Sequence, residues 1–344
     1  MTATLPEPGG MLDEMDGGDV AAVARHVAAG ERPAIVRGIG AHWPAVAAAR
    51  IGDEAVGAYI AERDTGRALT VLVAPPEAAG RYFYADDMRG VNFYSETMPM
   101  RALIERLLTL RGAMAPPGLY AGSTPTPDSV AGFAADNRLP FDIGVDPRIW
   151  VGNASRIAPH YDMAANIAVV VSGRRRFTLF PPDQIANLYV GPVERTIAGQ
   201  PTSMVDPDYP DYDRYPRYRE AERHRLIADL APGDALYMPP MWWHHVRSEG
   251  ALNILVNYWF GQRTDRFPFA ALMLAMHSIR ELPAGERAAW RNWFDHYVFG
   301  DGAEGVADHL PPHARGVLGT PSPQRDRVIV DYVIGMCRSG GAPN

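Results

Sequence analysis

The sequence predicts a mainly β protein with flanking helices: a jelly roll preceded by an α/β lead-in and followed by a helical C-terminal extension. Three observations predict it. Between about residues 119 and 261, short β-branched and aromatic runs follow one another at close spacing, separated by Pro, Gly, Asp and Asn clusters. Before that stretch helical and strand patterns alternate, and after it the periodicity is helical. Many short strands with turn chemistry between them fit a sandwich or a barrel, and the eight strands of a jelly roll account for the count.

Residues 1–16 carry no periodic pattern and read as a flexible tail. "GDVAAVARHVAAGERP" sets Val20, Val23 and Val27 at helical spacing and stops at a glycine, and "PAIVRG" follows as a short strand. "HWPAVAAAR" and "EAVGAYIAER" predict helices, "ALTVLVAP" and "RYFYAD" strands, and "MPMRALIERLLTLR" an amphipathic helix with Pro99 near its start. The β region then holds "GLYAG", "RIWVG", "NIAVVVSG", "RRFTLFPP", "HRLIADLAPGD", "ALYMPP", "WWHHVRS" and "NILVNYWFG". Within it "VDPDYPDYDRYPRYREAE", residues 205–222, reads as a long ordered insertion, a kind of loop that is usually functional or disordered. From 262 onward come "FAALMLAMHSIREL", "PAGERAAWRNWFDHYVF" and "PQRDRVIVDYVIGMCR". Their large apolar side chains need a cover, either the barrel or a second copy of the chain, which would make a homodimer. The expected organisation is a tail over 1–16, one domain over 17–261 and a helical extension over 262–344.

Composition narrows the function. A chain of 344 residues with 47% hydrophobic content supports a large core. The net charge is −7, and "RRR" at 174–176 is the one basic run, so nucleic acid is not an expected partner. The single cysteine, Cys337, excludes an internal disulfide or a thiolate metal cluster and fits the reducing cytoplasm. The N-terminus has neither a basic start nor an apolar core, and no segment has the length of a membrane span, so neither secretion nor membrane insertion is expected. There is no lysine: all 33 basic side chains are arginine.

The chemistry concentrates in "PHYDMAANIAVVV", residues 159–171. In a strand, side chains two apart share a face, so His160 and Asp162 converge while Tyr161 turns away. An imidazole and a carboxylate side by side are a partial metal site, and a facial triad needs one more histidine from another strand. The best source is "MPPMWWHHVRS", where His244 and His245 face opposite ways, so at most one of them can serve. Asn166 and Asn257 lie inside apolar strands, where an amide costs free energy unless it finds a partner.

These stretches resemble the Jumonji-C, or cupin-like, branch of the iron and 2-oxoglutarate dioxygenases, most of all the asparaginyl hydroxylase that inhibits hypoxia-inducible factor. The resemblance rests on "APHYDMAANIAVVVSGRRRFTLFPPDQIANLY", "VDPDYPDYDRYPRY", "LAPGDALYMPPMWWHHVRS" and "NILVNYWF", with "RPAIVRG" and "HWPA" upstream, and covers most of residues 30–261. It implies a double-stranded β-helix and an enzyme using Fe(II), 2-oxoglutarate and O2. By it, His160, Asp162 and His244 are the catalytic iron ligands. Arg175 in "SGRRR" stands where the family usually has a lysine for the far carboxylate of 2-oxoglutarate, and a guanidinium can bind a carboxylate through two parallel hydrogen bonds. Tyr120 resembles the phenolic contact to that carboxylate, Asn166 an amide near the co-substrate, and Asn257 and Trp259 residues lining the iron pocket. Ile157 replaces a family threonine.

The implied reaction is hydroxylation of a protein or peptide side chain, with succinate and CO2 released and the 205–222 insertion lining a groove for the substrate. Fold and triad also suit a small metabolite or a peptide natural product. A non-redox metal-binding cupin and a non-catalytic scaffold are the remaining readings.

Overall fold

The computed structural model describes residues 10–197, 199–261 and 266–338. They form two units, one up to residue 261 and one from residue 266. The first is built on twelve strands: β1 (Asp13–Asp16), β2 (Ala34–Arg37), β3 (Leu69–Ala74), β4 (Arg81–Tyr82), β5 (Tyr94–Met98), β6 (Gly118–Pro125), β7 (Arg148–Gly152), β8 (Ser155–His160), β9 (Ala165–Phe180), β10 (Leu226–Leu230), β11 (Ala235–Met238) and β12 (Trp243–Phe260). They make one mostly antiparallel sheet in the order β1-β2-β11-β9-β12-β7-β6-β3-β5, with β10 beside β9 and β8 between β12 and β4. The architecture is that of a jelly roll.

Two long strands organise it. The first half of β9 pairs with β11 and the second half with β10. Likewise β12 pairs with β8 through its first half and with β7 through its second. Each bends between its halves, which the sequence patterns read as separate strands. The bend in β9 sits at Gly173, with φ of +79°, where a Cβ would lie 2.0 Å from Asn253 Oδ1. A glycine that looks like a turn is therefore a pivot inside one strand.

The uninterrupted apolar run of β9 follows from what covers its two faces. Ile167, Val169 and Val171 pack with Trp43, Val46, Ile60, Leu103 and Ile104 from the lead-in helices. Ala168 and Val170 point the other way, into a second cluster with Ile35, Phe177, Leu179, Leu236, Met238 and Leu255. Both faces are dry, so the strand loses the polar alternation of a half-exposed one. That second cluster forms the interior where the site lies.

Three expectations need correcting. Residues 13–16 are not a tail: β1 pairs in parallel with β2, and Arg37 forks onto Glu14 at 2.6 and 3.0 Å. Charge pairing holds a strand, "DEMD", that has no apolar alternation. Residues 1–9 of the expected tail lie outside the described residues. Only Arg81 and Tyr82 of "RYFYAD" form a strand, and the polar β5 and the proline-containing β8 carry no strand pattern. Finally, 159–171 is not one strand, because β8 ends at His160 and β9 begins at Ala165.

The second unit contains the expected helices, Pro268–Ile279, Ala284–Phe294 and Pro323–Arg338, and none of their residues is buried. Trp293 is 58% exposed, Phe299 73% and Tyr332 69%.

Candidate metal centre and its cavity

Strands β8 and β12 are neighbours, with His160 and His244 directly across from each other. Asp162 follows in the turn after β8, and its carbonyl accepts the Met241 N–H at 2.9 Å, which ties that turn to the approach of β12. The imidazole rings of His160 and His244 lie 4.3 Å apart, and His244 Nε2 is 3.8 Å from Asp162 Oδ2. One ligand atom from each of the three residues lies within 4.8 Å of the others. Pairing across strands brings the two histidines together. A turn, rather than the face of a single strand, brings in the aspartate.

The ring orientations favour metal binding. Nδ1 of His160 sits 2.9 Å from the Ala158 carbonyl, and Nδ1 of His244 sits 3.0 Å from that of Trp242. A carbonyl can only accept, so Nδ1 carries a hydrogen in both, which leaves Nε2 as the nitrogen of each ring available to a metal. Burial, reinforced by nearby His160, pushes the His244 imidazole down to about 4, so it is a neutral donor at physiological pH. The indole of Trp259 donates to Asp162 Oδ2 at 3.1 Å. Tyr161 turns away and packs edge-on against Trp243. His245 faces away too: its Nδ1 is 2.7 Å from the Ile157 carbonyl and its Nε2 3.4 Å from Asp208 Oδ2.

A cavity of about 130 Å3 opens beside these donors. All eight residues singled out from the sequence line it: His160, Asp162, His244, Tyr120, Asn166, Arg175, Asn257 and Trp259. Arg175 is buried on β9 in contact with the Tyr120 hydroxyl, while Arg174 is exposed and Arg176 forks onto Asp229 at 2.7 and 2.8 Å. Burial pushes the Tyr120 phenol up to about 12, with Arg175 pulling the other way. Burial also lowers the Arg175 pKa, and the Tyr120 contact offsets part of that loss. A guanidinium starts so high that it stays charged.

The two amides differ. Asn166 Oδ1 is buried with no protein partner, as a ligand-binding amide would be. Asn257 Oδ1 already accepts the Trp150 indole N–H at 2.8 Å, so this carbonyl needs no bound acid. Sequence reading missed Tyr82 and Thr202, which also line the cavity and carry buried hydroxyls without partners. Tyr82 sits in "RYFYAD", which reads only as a strand, and no pattern marks Thr202.

The insertion expected to line the substrate groove does not reach the cavity, whose covering segment supplies Ile197, Gln200 and Thr202 instead. Val205, Tyr218 and Ala221 pack with Tyr161, Phe180, Leu188 and Trp243. Its Arg214, Tyr215 and Arg217 line a separate surface groove of about 770 Å3, together with Met88, Ile185, Tyr189 and Met204. Met88 and Met204 pack in one cluster with Ile197, which borders the cavity.

Residues 20–266 match the cupin-like domain family, which is most of the chain. The chain belongs to that family. Curated relatives of this cupin-like protein include HSPB1-associated protein 1 of Homo sapiens, 32% identical over 46% of the chain and 33% of the relative. Jumonji C domain-containing protein 5 of Drosophila melanogaster is 38% identical over 34% of the chain and 28% of its own length. For tRNA wybutosine-synthesizing protein 5 of Gallus gallus the figures are 36%, 28% and 28%. The chain thus spans about a third of the length of the curated relatives it matches. Among the described residues no helix is long and apolar enough to cross a membrane.

The donor chemistry of this cupin-like protein fits a resident metal ion. Two imidazoles and one carboxylate gathered around one point suit a divalent first-row metal and leave positions open for other ligands. The unpartnered Arg175 Nε–H in the same cavity suits an anionic group beside it.

Proposed function

We propose that the chain is an Fe(II)- and 2-oxoglutarate-dependent dioxygenase that hydroxylates a protein or peptide side chain and releases succinate and CO2. The observation that carries this reading is the convergence of His160, Asp162 and His244 within 4.8 Å, in a cavity that also contains a buried, incompletely paired arginine. With His160, Asp162 and His244 as ligands, ferrous iron would supply, with dioxygen and the keto acid, the oxidising power needed to put oxygen into a C–H bond.

The chain's own contributions are positional. Arg175 neutralises the far carboxylate of the acid, and Tyr120 shares that contact. Asn166 meets a polar group of the same molecule. Trp259 fixes the carboxylate of Asp162, so that one oxygen stays turned toward the histidines. Leu72, Ile157, Phe177, Val246 and Leu255 form the apolar wall that keeps bulk water away from the reacting atoms.

The Arg- and Tyr-lined groove beside the cavity supports a polypeptide substrate, since it offers an extended surface with aromatic faces and guanidinium donors. The net charge of −7 speaks against a tRNA substrate like that named for one relative. The single, exposed Cys337 fits a cytoplasmic setting.

Incubation with iron, 2-oxoglutarate, ascorbate and a host peptide extract tests the reading. It expects succinate and a peptide that gains one oxygen in mass. No succinate from the iron-loaded protein under any substrate condition contradicts the oxygenase. Succinate with oxygen entering only small molecules contradicts the peptide substrate.

A homodimer through the C-terminal helices is part of the same proposal, because helices with no buried residue and exposed Trp290, Trp293, Phe299 and Tyr332 need an apolar cover. Sedimentation should give twice the chain mass. A monomer would remove the dimer.

A further inference from the structure

Four residues that line the cavity carry a buried polar atom with no protein partner: Tyr82 Oη, Asn166 Oδ1, Arg175 Nε and Thr202 Oγ1. Asn166 and Arg175 already have a role in the reading above. Tyr82 does not, and its surroundings point to the acid as well. It lies on β4, directly across from Ile157 on β8. Ile157 also lines the cavity but offers only methyl groups there. The Tyr82 ring packs against that of Tyr120 with centroids 5.5 Å apart, and the Tyr120 hydroxyl contacts Arg175. Tyr82, Tyr120 and Arg175 are therefore one contiguous group.

The Tyr82 hydroxyl packs closely against β6. At Gly118, on β6, a Cβ would come within 2.9 Å of that oxygen. A buried hydroxyl without a partner costs free energy, whereas a phenylalanine would fill the same space at no such cost. Burial raises the Tyr82 phenol far above its ordinary pKa, so it remains a neutral O–H and can only stabilise an anion by donating.

We propose that Tyr82 is a specificity-determining residue for the co-substrate, its hydroxyl donating, with Arg175 and Tyr120, to the far carboxylate of a short dicarboxylic keto acid. This rests on the dioxygenase reading. Tyr82 supplies from the neighbouring strand the hydroxyl that Ile157 cannot.

Binding, rather than turnover, gives the test. The full chain is loaded with Mn(II), which occupies the site without oxidation, and titrated calorimetrically with 2-oxoglutarate and with pyruvate, which lacks the far carboxylate. Tyr82→Phe should weaken 2-oxoglutarate by about tenfold, the scale of one hydrogen bond to a charged group. It should leave pyruvate unchanged, and the ligand-free variant should melt no lower than wild type, since it loses only an unpartnered hydroxyl. Equal 2-oxoglutarate affinity in the two proteins overturns the role of Tyr82 while leaving the dioxygenase reading intact. So does an equal loss of pyruvate binding, which would place the hydroxyl elsewhere, or a lower melting temperature of the ligand-free variant, which would make its role structural. Failure of 2-oxoglutarate to bind wild type overturns the dioxygenase reading and Tyr82's role with it.

Discussion

The indole N–H of Trp259 donates to Oδ2 of Asp162 at 3.1 Å, and that same oxygen stands 3.8 Å from Nε2 of His244. A side chain at the far end of β12 thus holds a carboxylate in the turn after β8 against a histidine at the start of β12. Trp259→Phe keeps the packing against Trp150 but frees the carboxylate to rotate. Metal affinity should fall by about 10- to 100-fold, the usual cost of losing a partner that orients a ligand. A Mn(II) titration followed by electron paramagnetic resonance measures it, and unchanged affinity would show that the indole orients nothing.

Arg175 is buried beside Tyr120 with its Nε unpartnered. Arg175→Ala should raise the 2-oxoglutarate concentration for half-maximal succinate formation by about tenfold or more, since a charge-assisted contact is lost. Arg175→Lys should fall between the two, because it keeps the charge and loses the fork. An unchanged dependence in both variants would move acid binding elsewhere.

The pivot of β9 gives a prediction about stability. Gly173 has φ of +79°, and a Cβ there would meet Asn253 Oδ1 at 2.0 Å. Gly173→Ala should lose at least about 1–2 kcal/mol, because the strained backbone and the collision add. Urea unfolding reads the loss, and a variant as stable as wild type would mean that the bend does not need glycine.

Asp208 gives a dependence on pH. Burial alone would raise its carboxyl, but the His245 contact at 3.4 Å, with Arg247 and Arg156 nearby, holds it below the ordinary range. The distance is long for a hydrogen bond, so the contact is chiefly electrostatic. A depressed carboxylate stabilises the fold fully above its unfolded value of about 4 and loses that contribution as pH falls through the lower folded value. Asp208→Asn should therefore be less stable than wild type at pH 6, with the gap closing well below pH 4. Denaturant midpoints across that range check it, and a gap that persists at the lowest pH would assign the stabilisation to something other than charge.

Much of this was legible in the residues, and the gaps have physical causes. Period-two facing and the resemblance together led to His160, Asp162 and His244, and the structure gathers the three side chains. The detail was wrong at Asp162, since a tight turn can hold two residues on one side as well as a strand can. Gly173 read as a turn because local sequence does not separate a loop from a bend within a strand. Pairing partners 80 residues or so away settle that, and they are invisible to local pattern. Tyr82 looked like one aromatic among many, because a buried hydroxyl without a partner exists only once the fold surrounds it.

In the proposed dioxygenase, three side chains from two neighbouring strands and a turn would hold one ferrous ion. Anaerobic Fe(II) titration in the presence of 2-oxoglutarate, on wild type and on His160→Ala, Asp162→Ala and His244→Ala, tests it most directly. Wild type should show a visible charge-transfer band that each substitution abolishes while the circular dichroism spectrum stays unchanged. A band of full strength in any of the three folded variants, or none in wild type, would contradict it.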